Sequence, residues 1–314
     1  MRYRRLGNAG MQVSAVALGG WINFGADKMA ADNARAIVET AYDAGINFFD
    51  LADVYEIGEA ERQMGETLKR YPRHTLVISS KVFWPMSDEV NDQGLSRKHI
   101  MESIDKSLQR LQTDYLDIYF CHRYDEHTPL IETIRAMNDL ITRGKILYWG
   151  TSEWSGEQIA EAVALCKQHG WYPPQAEQPQ YSMLARERVE SEILPVTQPN
   201  GIGLVVWSPL AQGMLTGKYD DGLPEGSRFA KVEWARSRFV TEENRERVRQ
   251  LKPIADELGI TRSQLALAWL LRQPGVSSVI TGATHPDQVK ENARAAEITL
   301  APEIVARIEA ILAR

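Results

Sequence analysis

Two rhythms alternate along this chain. Short apolar runs carry hydrophobic residues at nearly every position: VSAVALG (13–19), NFFDLA (47–52), LVISSKV (76–82) and LDIYFCH (116–122). Between them lie longer stretches whose apolar residues recur three and four apart, such as ADNARAIVETAYDAG (31–45) and SRKHIMESIDKSLQRL (96–111). The first kind fits strands buried on both faces, and the second fits amphipathic helices laid against them. Ser96 is the predicted N-cap of the second helix. The alternation continues with strands at ILYWGTS (146–152), QAEQPQY (175–181), GIGLVVWSPL (201–210) and SSVITGA (277–283). Further helices are expected near 59–69, 130–143, 156–170, 187–198, 242–258, 261–272, 286–296 and 301–313.

Eight strands, each followed by a helix, predict an α/β fold with a parallel sheet. Within 314 residues, that number of units fits a closed (β/α)8 TIM barrel better than an open sheet. The segments YRRLG and MQVSA predict an N-terminal β-hairpin across the barrel's bottom. The helices after 240 make an extra C-terminal set. No Gly-, Pro- or Ser-rich linker divides the chain, so one domain over 1–314 is expected. Residues 211–240 look too long for an ordinary connection, and long loops in compact domains are usually functional.

Composition narrows the function classes. The chain is 44% hydrophobic and 25% charged, with a net charge of −6 and a pI near 5.6. That balance argues against a nucleic-acid partner. No apolar run reaches the roughly 18 residues a membrane span needs. The start MRYRRLGNAG has charge but no apolar h-region, so no signal peptide is expected. The two cysteines, Cys121 and Cys166, give neither a disulfide framework nor metal spacing. A cytoplasmic soluble enzyme or binding protein is the expectation, with no membrane and no nucleic acid.

In such a barrel the chemistry sits at the C-terminal ends of the strands. The second strand ends in Asp50, with Tyr55 in the next loop; the third ends in Lys81 and the fourth in His122. Each alone has a plain structural explanation: a helix cap, a packed phenol, an edge charge, a hydrogen-bonded histidine. Neighbouring strands lie about 4.8 Å apart, so together the four groups converge at the barrel mouth. A buried lysine beside an aspartate and a phenol is an arrangement for lowering the phenol's pKa from about 10. The other histidines are scattered, so no metal is expected. Cys121 neighbours His122 on a strand and points to the opposite face, which argues against a Cys–His nucleophile pair. No G-x-G-x-x-G motif is present, and GIGLVV precedes a strand rather than a helix.

These blocks resemble the aldo-keto reductases, and within them the potassium-channel β-subunit branch and its bacterial relatives. The resemblance runs along essentially the whole chain. GINFFDLADVYEIGEAERQMG is similar to the family's G-x4-D-x4-Y signature, LVISSKV carries its lysine and LDIYFCHRYD its histidine. GKILYWGTSEW, VVWSPLAQGMLTGKY and ITGATHPDQVKEN are similar to its later blocks. The resemblance implies a catalytic tetrad of Asp50, Tyr55, Lys81 and His122, with Tyr55 as the general acid in carbonyl reduction. Two positions depart from the pattern: Leu51 replaces the usual threonine and Glu56 a common glycine, and small effects are expected. Channel β-subunits carry asparagine at the position of His122, so the histidine implies an enzyme more than a regulatory binding subunit.

The resemblance also implies NADPH and assigns its ligands. Ser152 and Gln178 stand at the nicotinamide amide, and Trp207 where an aromatic ring stacks on the nicotinamide. Gly20, Trp21 and Asp50 stand at the same end. Ser208, Pro209, Leu210, Ala211 and Gln212 begin the pyrophosphate path, with Lys218 on the phosphates and Arg228 toward the adenosine phosphate. Gly282, Thr284, Gln288, Glu291 and Asn292 form the adenosine end. The tyrosine often found two residues before the loop arginine is Gly226 here. Trp21, Tyr55, Trp84 and His122 line the place for a small-molecule carbonyl substrate; barrel-rim packing would equally explain Trp21 and Trp84. Tyr124, His127 and Trp234 are weaker candidates. A homo-oligomer, a tetramer in this branch, is also implied. Two other classes stay open: a nicotinamide-binding regulatory subunit with slow turnover, and a barrel aldolase using Lys81 as a Schiff-base amine. The aldolase gives no use to Asp50, Tyr55 or the later blocks.

Overall fold

The apolar runs pair side by side. The computed structural model of the chain describes residues 1–21, 24, 31–231 and 233–313, with the side chains of Arg228, Lys231, Trp234 and Ala235 left aside. β1 (Tyr3–Arg5) and β2 (Gln12–Ser14) form an antiparallel hairpin in which Tyr3 faces Ser14 and Arg5 faces Gln12. Eight parallel strands then close on themselves: β3 (Val16–Gly19), β4 (Phe48–Asp50), β5 (Val77–Val82), β6 (Leu116–Cys121), β7 (Ile146–Ser152), β8 (Ala176–Gln178), β9 (Gly203–Val206) and β10 (Val276–Thr281). The ring is completed by β10 pairing with β3, Ile280 opposite Ala17. This is the (β/α)8 barrel with its N-terminal hairpin.

Strand parity divides the core in two. Ala17, Phe48, Ile118, Phe120, Ala176, Val205 and Ile280 fill the barrel's interior, where Leu6, Ala9 and Val13 of the hairpin region pack against them. The alternate residues Phe49, Ile78, Tyr119, Cys121, Leu204 and Val279 face the helices. Continuing the same parity places Asp50, Lys81, His122, Ser152, Gln178 and Trp207 on the inner side at the strands' C-terminal ends. Cys121 accordingly belongs to the outer layer, away from His122.

The covering layer is α1 (Ala31–Asp43), α2 (Glu59–Leu68), α3 (Arg97–Leu111), α4 (Leu130–Thr142), α5 (Gly156–His169) and α6 (Leu194–Thr197), then α7 (Arg228–Lys231), α8 (Glu233–Phe239), α9 (Glu242–Glu257), α10 (Arg262–Leu271), α11 (Pro286–Arg294) and α12 (Pro302–Leu312). Ser96 caps α3 by accepting from the His99 amide. Ser155 and Thr261 make capping boxes with Gln158 and Gln264.

Two of the departures from the sequence pattern matter for the site. The run 13–19 is broken at Ala15, its first part belonging to the hairpin and its second to the barrel. The stretch 211–240 is not a structureless loop: a 3-10 segment, Ala211–Thr216, precedes α7 and α8. Asp220 ties this stretch down, accepting from Arg262 Nη1 at 2.7 Å through its carboxylate and from Arg249 Nη2 at 2.6 Å through its carbonyl. Gly217 must be glycine there: its φ is +83°, and a Cβ would lie 1.7 Å from the Arg262 guanidinium. Among the described residues no helix is long and apolar enough to cross a membrane.

Candidate active site

A cleft with a volume of ≈ 1880 Å³ crosses the C-terminal ends of the strands. Behind the lining residues Asp50 and Tyr55, Lys81 is fully buried and gives Nζ three partners: Asp50 Oδ2 at 2.7 Å, the Leu51 carbonyl at 2.6 Å and the Tyr55 hydroxyl at 3.2 Å. Asp50 Oδ1 accepts from Ser79 Oγ at 2.7 Å and Gln178 Nε2 at 3.0 Å. Ser152 Oγ donates to the Gln178 carbonyl at 2.9 Å. The charge pair is thus saturated with hydrogen bonds, the condition for holding two charges in a dry site; losing either partner leaves the other stranded. The His122 ring stands edge-on to Tyr55, centroids 5.9 Å apart, and Trp84 stands edge-on to His122 at 6.2 Å.

The protonation states follow from burial. Burial raises the Tyr55 phenol above its usual value, and Asp50 adds to this; Lys81 and Arg123 pull the other way without prevailing. This corrects the expectation that Lys81 brings the phenol below about 10: desolvation is the larger effect. Burial opposes the charge on Lys81 too, but Asp50 and Tyr55 outweigh it, so the ammonium is held above its normal range. Burial, Lys81 and Arg123 drive His122 well below its usual value. His122 is therefore a neutral imidazole at pH 7. Its buried Nδ1 has no hydrogen-bond partner among the described residues. With Nδ1 as the unprotonated nitrogen, Nε2–H is a donor. Tyr55 and His122 thus present two neutral polar groups side by side in the cleft wall, with the buried Lys81 cation against the phenol.

The cleft is lined by Trp21, Ser152, Gln178, Trp207, Ser208, Pro209, Leu210, Gln212 and Lys218, and by Gly282, Thr284, Gln288, Glu291 and Asn292 after β10 and on α11. Trp21 meets the Trp207 ring edge-on at 6.4 Å. Gly20 and Ala211 do not line the cleft: a Cβ on Gly20 would press on Leu51, and Ala211 is buried in the outer core. The Arg228 and Trp234 side chains lie outside the described residues. Ser208, Ala211 and Gln212 all have positive φ, a left-handed curl held by Gln212 Nε2 donating to Ser208 Oγ at 2.9 Å. The cleft has room and partners for a nicotinamide dinucleotide: Gln178 and Ser152 sit beside Asp50, and the Trp207 indole, Lys218 and the start of α11 share the same wall. Among the described residues no three His, Cys, Asp or Glu side chains cluster to hold a metal ion.

The structure also brings in residues the motif reading passed over. Glu153 accepts from Trp207 Nε1 at 2.9 Å and from the Gln180 amide at 2.5 Å, while Arg188 holds its other oxygen at 2.7 Å. Its carboxylate thereby fixes the angle of the indole. Arg123 and Arg262 also line the cleft. Glu153 and Arg123 each stand one position after a singled-out residue, Ser152 and His122, and that adjacency was the available signal. The departure at Glu56 matters more than its chemistry suggests. Glu56 and Ile57 both take φ +49°, a left-handed backbone that glycine adopts freely and a β-branched residue resists.

The aldo/keto reductase family model matches residues 15–313. Two plant proteins, from Arabidopsis thaliana and Oryza sativa subsp. japonica, are each 46% identical to this chain over 319 aligned residues. Both alignments cover 99% of this chain and 97% of the relative, and both relatives are named as probable voltage-gated potassium channel β subunits. The chain belongs to the aldo/keto reductase family, a family of nicotinamide-dependent oxidoreductases.

Proposed function

We propose that the protein is an NADPH-dependent carbonyl reductase that converts aldehydes and ketones to alcohols, with Tyr55 as the proton donor. The observation that carries this reading is the Asp50–Lys81–Tyr55 chain facing a neutral His122 at one end of a dinucleotide-sized cleft. When bound, the reduced nicotinamide supplies the hydride. The chain's own residues do the rest. Ser152 and Gln178 would hold the carboxamide, and Trp207, whose indole is fixed by Glu153, would support the ring. His122 Nε2–H and the Tyr55 hydroxyl both donate to the substrate carbonyl oxygen, fixing it and stabilising the negative charge that grows there. Tyr55 then gives up its proton, and the adjacent Lys81 cation stabilises the phenolate left behind. Asp50 holds Lys81 in place and keeps its charge from being buried alone. Lys218 and Arg228 are assigned to the adenosine 2′-phosphate, whose charge two such cations would stabilise.

A second reading rests on the relatives' names: a cofactor-binding subunit of a channel-like partner, turning over slowly. His122 as a hydrogen-bond donor in the reacting position favours the reductase. The reading includes a soluble cytoplasmic protein that assembles as a tetramer, which light scattering on the eluting protein tests. The experiment for function is a panel of aldehydes, ketones and dicarbonyls with NADPH and with NADH, read at the cofactor's absorbance. Turnover with several carbonyls, better with NADPH, is expected. Tight NADPH binding without turnover on any of them would establish the binding subunit instead.

A further inference from the structure

One charged group in the cleft has no part in the roles above. Arg123 follows His122 just beyond β6, half-buried in the cleft wall. Its Nη1 donates to the His122 carbonyl at 2.5 Å, and its guanidinium carbon stands 5.5 Å from the Trp84 ring centroid. It is close enough to Tyr55 and His122 for its charge to oppose protonation of both, though at Tyr55 burial prevails. Among the described residues, those two contacts are its only partners; no carboxylate pairs with it. The neighbouring cations differ. Lys81 is paired with Asp50 and Arg262 with Asp220, each at 2.7 Å, and Lys218 lies over the Tyr219 ring toward the dinucleotide side. Of the acids near the mouth, Asp50 is committed to Lys81 and Glu56 has an interaction of its own.

A half-buried guanidinium with most of its N–H groups unspent is an incomplete pair. Its planar fork matches a carboxylate, and the low dielectric of a cleft strengthens the match. The order of groups sets the shape of the ligand. Tyr55 and His122 take the carbonyl oxygen, and both the Trp84 ring and the Arg123 guanidinium stand beside His122, the guanidinium 5.5 Å from the Trp84 centroid. Resting on the reductase reading above, we propose that Arg123 anchors a carboxylate on the substrate, and that the preferred substrates are carbonyl acids whose flat or short apolar middle lies along Trp84.

The test compares 4-carboxybenzaldehyde with methyl 4-formylbenzoate in the wild type, Arg123→Gln and Arg123→Lys. The ester is the more electrophilic aldehyde, so any preference for the acid reflects binding. The wild type is expected to favour the acid in kcat/KM by about 10- to 100-fold, the value of a hydrogen-bonded charge pair, mainly through KM. Arg123→Gln should bring the ratio to one or below, and Arg123→Lys should keep part of it. A purely structural Arg123, bracing the His122 carbonyl, would lower both substrates together and leave the ratio unchanged; that result, or a wild-type ratio near one, overturns the proposal. Calorimetry separates this from the reductase reading. With NADPH present but no turnover of either aldehyde, 4-(hydroxymethyl)benzoate should still bind the wild type and not Arg123→Gln, and equal binding to both would sink the anchor.

Discussion

Tyr55 holds its proton more firmly than a free phenol, because burial and Asp50 together outweigh the pull of Lys81 and Arg123. For a proton donor that direction is useful: the acid form persists to higher pH. His122, driven well below its usual range, is neutral over the same interval and contributes no titration near 6.5. The expected pH profile for carbonyl reduction is therefore flat from about pH 6 to about pH 9 and falls only above about 10, as Tyr55 loses its proton. Alcohol oxidation, which needs the phenolate, should rise over that alkaline range. Single-turnover rates across pH check both; a reduction rate that drops with an apparent pKa near 7 would assign the proton to another group.

At the scale of elements, the strained step is the turn between β4 and α2. Ile57 is β-branched, 57% exposed and held at φ +49°. Little burial is at stake there, and a left-handed conformation costs an L-residue about 1–2 kcal/mol, less for asparagine. Ile57→Asn should stabilise the protein by about 1 kcal/mol, measured as a shifted urea midpoint with an unchanged slope; a loss of stability would mean that Ile57 makes a contact worth more than the strain. The turn also shows what the sequence could and could not disclose. Strand parity is local, so the inner placement of Asp50, Lys81 and His122 was readable from their positions at the ends of apolar runs. The positive φ at Glu56 was not, since only the departure from glycine pointed to it. The helices of 228–239 were missed because their polar stretch lacks a clear apolar stripe and is anchored from outside, by Asp220 to Arg262 and Arg249. Glu153 was missed as an orienting group because its partner Trp207 lies 54 residues away, a separation no spacing rule covers.

Across the whole molecule the barrel wall buries ionisable groups on both sides, and on its outer side burial outweighs the nearby cations at Glu177 and Asp53. Glu177, next to Gln178 on β8, points into the outer layer, where Thr151 Oγ1 donates to it at 2.5 Å; burial pushes its carboxyl up to about 8. Asp53, beside Glu61 and Ser103, is raised to about 7 for the same first reason. A glutamate titrating near 4.3 when unfolded and near 8 when folded keeps a proton the unfolded chain has lost. Its contribution to stability is thus fully present below about pH 4.3 and disappears as pH rises through about 8. Glu177→Gln removes the titration, so the Tm of the variant relative to the wild type should be higher at pH 9 than at pH 5. Scanning calorimetry at both values decides this, and an equal difference at each would show that Glu177 is ionised at both. In the proposed reaction the barrel mouth holds one phenol and one imidazole at a carbonyl oxygen, with an ammonium behind the phenol, and Tyr55→Phe tests this most directly. The substitution removes a single hydroxyl and leaves the Lys81–Asp50 pair intact. Steady-state reduction of an activated aldehyde should fall by about 10²- to 10⁴-fold, while NADPH affinity, read by fluorescence titration, stays near the wild-type value. Wild-type turnover in Tyr55→Phe would contradict the assignment of the proton donor and favour the cofactor-binding subunit.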